Sequence, residues 1–143
     1  MRIRRLKFKE ISEIIRLHKE SIAPVWRRLK RHYNLKNIER YIKINFSKEK
    51  IFVLENEGRI IASGSIMFEN FSGFKAANLG MMLVSTKEQG RGYGEKMVQF
   101  LENLARRKGI KEISLDVLIK NPAVKFYKHM GYKEYKLIMK KKI

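Results

Sequence analysis

The stretch from Glu88 to Met97, EQGRGYGEKM, sets glycines at 90, 92 and 94, every second position, among Gln89, Arg91, Tyr93 and Glu95. Glycine admits positive φ and lets a ligand reach the backbone without meeting a Cβ. A helix that starts on such a loop presents free N–H groups and the positive end of its dipole, a combination that binds phosphate. Two familiar phosphate loops do not fit. Counted from Gly90 and Gly92, the dinucleotide pattern G-x-G-x-x-G needs a third glycine where the chain has Glu95. Counted from Gly90, a Walker A loop ends on Glu95, Lys96 and Met97 and so lacks the hydroxyl that would meet magnesium. What remains is Q-x-x-G-x-G, formed by Gln89, Gly92 and Gly94.

Few other side chains offer chemistry. The chain has no cysteine, which excludes disulfides, thiolate nucleophiles and cysteine metal sites. Its three histidines, His18, His32 and His129, have no metal-ligand spacing, so no metal is expected. His18 falls on the apolar face of the first expected helix and reads as a core residue. Tyr93, inside the loop, is expected to face solvent unless it covers the ligand.

Bulk composition bounds the rest. The 143 residues fit one domain, 1–143, and a hydrophobic content of 44% is enough for a core despite heavy charge. Thirty-three Lys and Arg against fourteen Asp and Glu leave a formal net charge of +19. Such a surface concentrates anions of many kinds, nucleotides, nucleic acid and acidic proteins among them, and is also the general character of a lysine-rich surface. No apolar run is long enough to span a bilayer, and the start, MRIRRL, lacks an apolar signal core. The expectation is a soluble, cytoplasmic protein with no membrane partner.

The elements that must carry the glycine loop follow from periodicity. Arg2 to Phe8 reads as a short strand. Ile11, Ile14, Ile15, His18 and Ile22 keep helical spacing, as do Leu35, Ile38, Tyr41, Ile42 and Phe46. Between them PVWRRLKRHYN, residues 24–34, has no clean period. Ile51 to Leu54, Ile60 to Phe68 and Lys75 to Ser85 read as three strands joined by turns at 56–59 and 70–73, with a bulge or close approach expected at Ser63-Gly64-Ser65. The loop then opens a helix whose Met97, Val98, Leu101, Leu104 and Ala105 make one buried stripe, and Gly109 stands where that helix should end. Ile113 to Val117 reads as a strand. Asn121 and Pro122 read as a cap and first residue of a helix running to Gly131. Tyr132 to Lys140 reads as a closing strand. The order β-α-α-β-β-β-α-β-α-β describes a mixed α/β sheet, mostly antiparallel, with one parallel pair across the strand–helix–strand crossover.

With loop and elements in place, the chain resembles the GNAT superfamily of N-acetyltransferases. The resemblance rests on Gln89, Gly92 and Gly94 as the Q/R-x-x-G-x-G/A loop, and on Met82-Leu83-Val84 as the end of the strand before it. Downstream, Leu115-Asp116-Val117, Asn121, Ala123, Tyr127, Gly131 and Tyr132 resemble the family's L-x-V…N…A…Y…G-[FY] block. It implies a sheet whose fourth and fifth strands splay apart around acetyl-CoA. The pyrophosphate would lie on N–H groups of Gly90, Arg91, Gly92, Tyr93, Gly94 and Glu95, and the pantetheine arm against the backbone of Met82, Leu83 and Val84.

The same resemblance implies direct attack of an amine on the thioester, with Tyr127 as the general acid that protonates the departing thiolate. Asn121 is implied as a cofactor contact, although the segment is one residue short when counted back from Tyr127, and it also reads as a helix cap. No acid or histidine lies between Lys75 and Ser85, where many relatives carry a general base. Asp116 is the first substitute and Glu69 the second.

In this family the first two helices wall the acceptor site. Here their connection holds Trp26, Arg27, Arg28, Lys30, Arg31, His32 and Tyr33, which suggests an acceptor with negative charge, such as an acidic peptide. The rival reading is a non-catalytic module of the same shape that binds nucleic acid or ribosomes through these cations and aromatics. The closing strand could be a dimer edge or a lysine-protected solvent edge, so monomer and homodimer both stay open.

Overall fold

A computed structural model describes residues 1–143. Five strands lie side by side in chain order: β1 (Arg2–Arg5), β2 (Glu49–Asn56), β3 (Arg59–Phe71), β4 (Phe74–Val84) and β5 (Ile113–Leu115). The first four pair antiparallel, and β4 pairs parallel with β5. Local chemistry accounts for the meander. Glu57 and Gly58 (φ 49° and 74°), then Ser72 and Gly73 (φ 49° and 86°), form two-residue turns whose twist matches the strands they join. A parallel neighbour instead needs a crossover, which α4 (Tyr93–Arg107) provides.

Two helical layers enclose the sheet. Period-2 alternation sends Leu54, Ala62, Ile66 and Leu79 toward the Met97, Val98, Leu101 and Ala105 stripe of α4. The opposite face sends Ile51, Val53 and Leu83 toward Ile14, Leu17 and Ile42 of α1 (Ile11–Leu17) and α3 (Leu35–Asn45). Asn34 caps α3 by accepting the Asn37 N–H at 3.1 Å.

Two expectations change. The first helix does not end near Ile22 but passes through a π-helical turn, His18–Ile22, into α2 (Ala23–Arg28). Pro24 explains the wide turn, because it has no N–H for the Glu20 carbonyl and its ring crowds that carbonyl. The strand expected over Tyr132 to Lys140 does not form, so the order closes on α5 (Ala123–His129). Only the three residues of β5 were available as its template, and five lysines between 133 and 142 keep the segment in water. Tyr135, Leu137 and Met139 stand exposed along it.

Candidate active site

The β4–β5 ladder is confined to Ala77–Leu79 and Ile113–Leu115. From Gly80 to Val84 the strand β4 continues with no β5 partner, while its other edge stays paired to β3 through Leu83–Ser63 and Val84–Ala62. One side of Met82, Leu83 and Val84 is therefore open. A bulge sets their direction, since Gly64 alone on β3 lies opposite Met81 and Met82. Met81 takes φ 47°, rare for a side chain of its size, and Ser63 Oγ holds it by donating to its carbonyl oxygen at 3.0 Å. Beyond the bulge Leu83 points into the α1–α3 layer and Met82 lies over Gly64 on the α4 side.

The glycine loop is tied back to this strand end. Glu20, from the π turn, accepts the Thr86 N–H at 2.9 Å, and its carboxyl is held below the usual range, chiefly by hydrogen bonding to Ser85. Gln89 Nε2 donates to the Val84 carbonyl oxygen at 3.1 Å. Gly90 and Gly92 both adopt left-handed backbone (φ 78° and 81°), and α4 starts from Gly92 with no side-chain cap. The first-turn N–H groups of a fifteen-residue helix are thus free to meet an anion. Arg91 pairs with Glu88 at 3.1 Å and stays mostly exposed. Tyr93 is half-buried, not turned wholly to solvent. It precedes Met97 by four residues, which places it on the buried stripe, and it packs against the α4-side core. Glu95 accepts from Gln99 Nε2 at 3.3 Å.

Three elements converge at Gly94. A Cβ there would lie 3.5 Å from Phe126 Cζ on α5 and 3.8 Å from Val84 Cγ2 on β4. Tyr127, the next residue of α5, is half-buried, with its ring edge-on to Phe126 at 5.2 Å and to Tyr132 at 5.9 Å. Burial pushes its phenol up to about 12, so the hydroxyl keeps its proton at neutral pH. Tyr132 instead donates to Glu102 Oε1 at 3.0 Å. Asn121 Oδ1 accepts the Ala123 N–H at 2.9 Å and starts α5. Asp116 lies exposed just past β5, and Glu69 stands well along β3 toward the hairpin turn.

Glu49 escaped the sequence reading. It opens β2 and is only 8% exposed; Ser65 Oγ donates to its Oε1 at 2.6 Å, and its Oε2 has no partner. Gly80 makes room for the pair, since a Cβ there would lie 3.0 Å from Ser65 Oγ and 3.1 Å from Glu49 Oε1. A carboxylate thus stands against β4 beside the residue that precedes Met81. The signal was available: Glu49 shares strand parity with the inward Ile51 and Val53.

His18 is buried with neither ring nitrogen partnered, and burial lowers its pKa to about 4. Trp26 is edge-on to Tyr33 at 5.2 Å, and the Arg31 guanidinium covers its ring at 4.8 Å. No three His, Asp or Glu side chains converge as metal ligands, and no helix is long and apolar enough to cross a membrane.

Solved structures share this architecture. A Pyrococcus furiosus protein classed as an acetyl transferase is 28% identical, with a TM-score of 0.75 over 99% of this chain and 100% of that one. A Clostridium acetobutylicum protein classed as an acetyltransferase, solved with acetyl-CoA, is 21% identical, with a TM-score of 0.73 over 99% and 95%. Glucosamine-6-phosphate N-acetyltransferase from Arabidopsis thaliana is 24% identical, with a TM-score of 0.65 over 99% and 97%. No functionally curated protein matches the chain by sequence. The model of the Acetyltransferase (GNAT) family matches residues 11–132, most of the length, and the chain belongs to that family.

Proposed function

We propose that the protein is an acetyl-CoA-dependent N-acetyltransferase that moves an acetyl group to a primary amine by direct attack in a ternary complex. The observation that carries this reading is the continuous path from the open edge of β4 to the uncapped start of α4. A long ligand with a peptide-like arm and a pyrophosphate fits such a path, the arm on Met82 to Val84 and the anion on the N–H groups of Gly90 to Glu95. Acetyl-CoA supplies the activated thioester. A backbone N–H on the open edge would polarise its carbonyl, and losing a donor of that kind costs about 3–4 kcal/mol of barrier. Tyr127, protonated and next to Phe126 at the loop, would hand its proton to the thiolate.

The exposed Arg27, Arg28, Lys30, Arg31 and His32 favour an acceptor that carries negative charge away from its amine. Trp26, covered by Arg31 and Tyr33, is less suited to stacking on bases than the sequence alone suggested.

Thermal unfolding with and without acetyl-CoA, with ATP and NAD as polyanion controls, tests the reading. Ligand at a hundred times its dissociation constant should raise the midpoint by roughly 5–10 °C. An equal rise with all three ligands would mean that net charge governs binding, and would move the nucleic-acid reading ahead.

A further inference from the structure

Glu49 is a buried acid without a cation in a chain that carries 33 lysines and arginines. It joins none of the ion pairs. Burial of an unpaired carboxylate is costly, and the inward positions that follow it on β2 hold Ile51 and Val53. A group kept there against that cost is suited to a cation that comes from outside.

Its surroundings describe such a visitor. Ser65 occupies Oε1 and fixes the carboxylate, while Oε2 makes no hydrogen bond of good geometry. Gly80 lets the Glu49–Ser65 pair sit directly against β4, where even a methyl group would crowd both side chains. The bulge at Met81, where the open edge of β4 begins, is the next residue along the strand. Tyr41 of α3, 45% exposed, lies against the carboxylate, its phenol raised to about 12 by burial first and by hydrogen bonding to Glu49 second. Displacement of the partly exposed Tyr41 ring would open Glu49 to a small cation next to the strand that, on the acetyltransferase reading, holds the thioester.

We propose that Glu49 binds the ammonium group of the acceptor and takes the proton whose loss makes it a nucleophile, with Ser65 as the positioning residue and Gly80 letting the pair sit against β4. The inference rests on the acetyltransferase reading for its reaction. The ammonium gives one proton to Glu49, and the free amine forms the C–N bond as the C–S bond breaks. The thiolate takes the Tyr127 proton, the second nitrogen proton returns through solvent to the phenolate, and Glu49 releases its proton to water. A primary ammonium can donate N–H to Oε2, which a quaternary one cannot.

The test is a carboxyl-carbon NMR titration of protein labelled at glutamate, with the Glu49 signal assigned from Glu49→Gln. The probe is n-propylammonium chloride, with tetramethylammonium chloride as a control for charge alone, and each is titrated with and without acetyl-CoA. A saturable shift of the Glu49 signal with the primary ammonium only is the expected result. No saturable shift, or the same shift with both salts, overturns the proposal. Thermal unfolding of Glu49→Gln gives an independent readout, because the amide can still accept from Ser65 while the unpaired charge is gone. Its midpoint should match or exceed that of the native chain, and a large fall would make Glu49 a structural residue instead. If acetyl-CoA fails to bind the native chain, the acetyltransferase reading falls while the titration without it still decides the ammonium site.

Discussion

Gly64 on β3 and Met97 on α4 stand so close that a Cβ on the glycine would lie 2.6 Å from the methionine Cγ, with Met82 Sδ at 2.8 Å. The contact presses α4 onto the sheet at the bulge, so one small residue sets both core packing and the direction of the open edge. Gly64→Ala should destabilise the fold by about 1–3 kcal/mol. Urea unfolding checks this, and the acetyl-CoA-induced rise in midpoint should shrink in the same variant. A double-mutant cycle with Met97→Ala should show non-additivity, because the two residues compete for one space.

Burial raises the Tyr127 phenol to about 12, so it carries a proton at neutral pH, as the proposed donor role requires. Tyr127→Phe should lower turnover about a hundredfold or more, leave acetyl-CoA affinity nearly unchanged, and keep stability within about 0.5 kcal/mol. Thiol-release kinetics and calorimetric titration separate these effects. Undiminished turnover would remove Tyr127 from the mechanism.

Gly92 precedes α4 with φ 81°, and a Cβ there would meet no atom within 4 Å. Gly92→Ala therefore acts through backbone conformation and not through a clash. It should cost about 1 kcal/mol of stability. A larger proportional loss should appear in acetyl-CoA affinity, because the loop N–H groups turn with the backbone. Unchanged affinity would place the pyrophosphate elsewhere.

Stability should fall on acidification in two adjoining windows. Burial lowers His18 to about 4, against about 6.5 in an unfolded chain, so the unfolded state binds more protons between those values. The native state should lose up to about 3 kcal/mol as pH drops from about 6.5 to about 4. Lower down, the Arg4 hydrogen bonds at 2.9 and 2.8 Å hold Glu10 at about 2, and that contribution disappears as pH falls from the usual carboxylate range through about 2. Urea unfolding across pH should show His18→Met flattening the upper window and Glu10→Gln the lower.

The backbone shape of the candidate site was largely legible in the sequence. Gln89, Gly92 and Gly94 mark a left-handed turn into a helix, because helix starts and positive φ are local properties of the backbone. Ser63-Gly64-Ser65 marked the bulge because glycine inside a strand signals close approach. Glu49 was readable as an acid in an inward position, yet nothing nearby in the chain shows that it would lack a cation among so many. That fact depends on where every lysine and arginine ends up.

By itself the sequence determined α1, α3, α4 and α5, the strands through β5 and the two hairpin turns, because propensity, periodicity and turn chemistry act between neighbours, whereas α2 went unread in a stretch with no clean period. Tertiary structure decided which stretch of β4 stays unpaired, that Met81 takes the bulge, that Tyr93 folds inward and that Glu49 and Ser65 meet beside Gly80. It also decided that Tyr132 to Lys140 remains outside the sheet. Strand pairing is a property of two edges at once, and a segment with strand-like side chains stays unpaired when the edge offered to it is only three residues long.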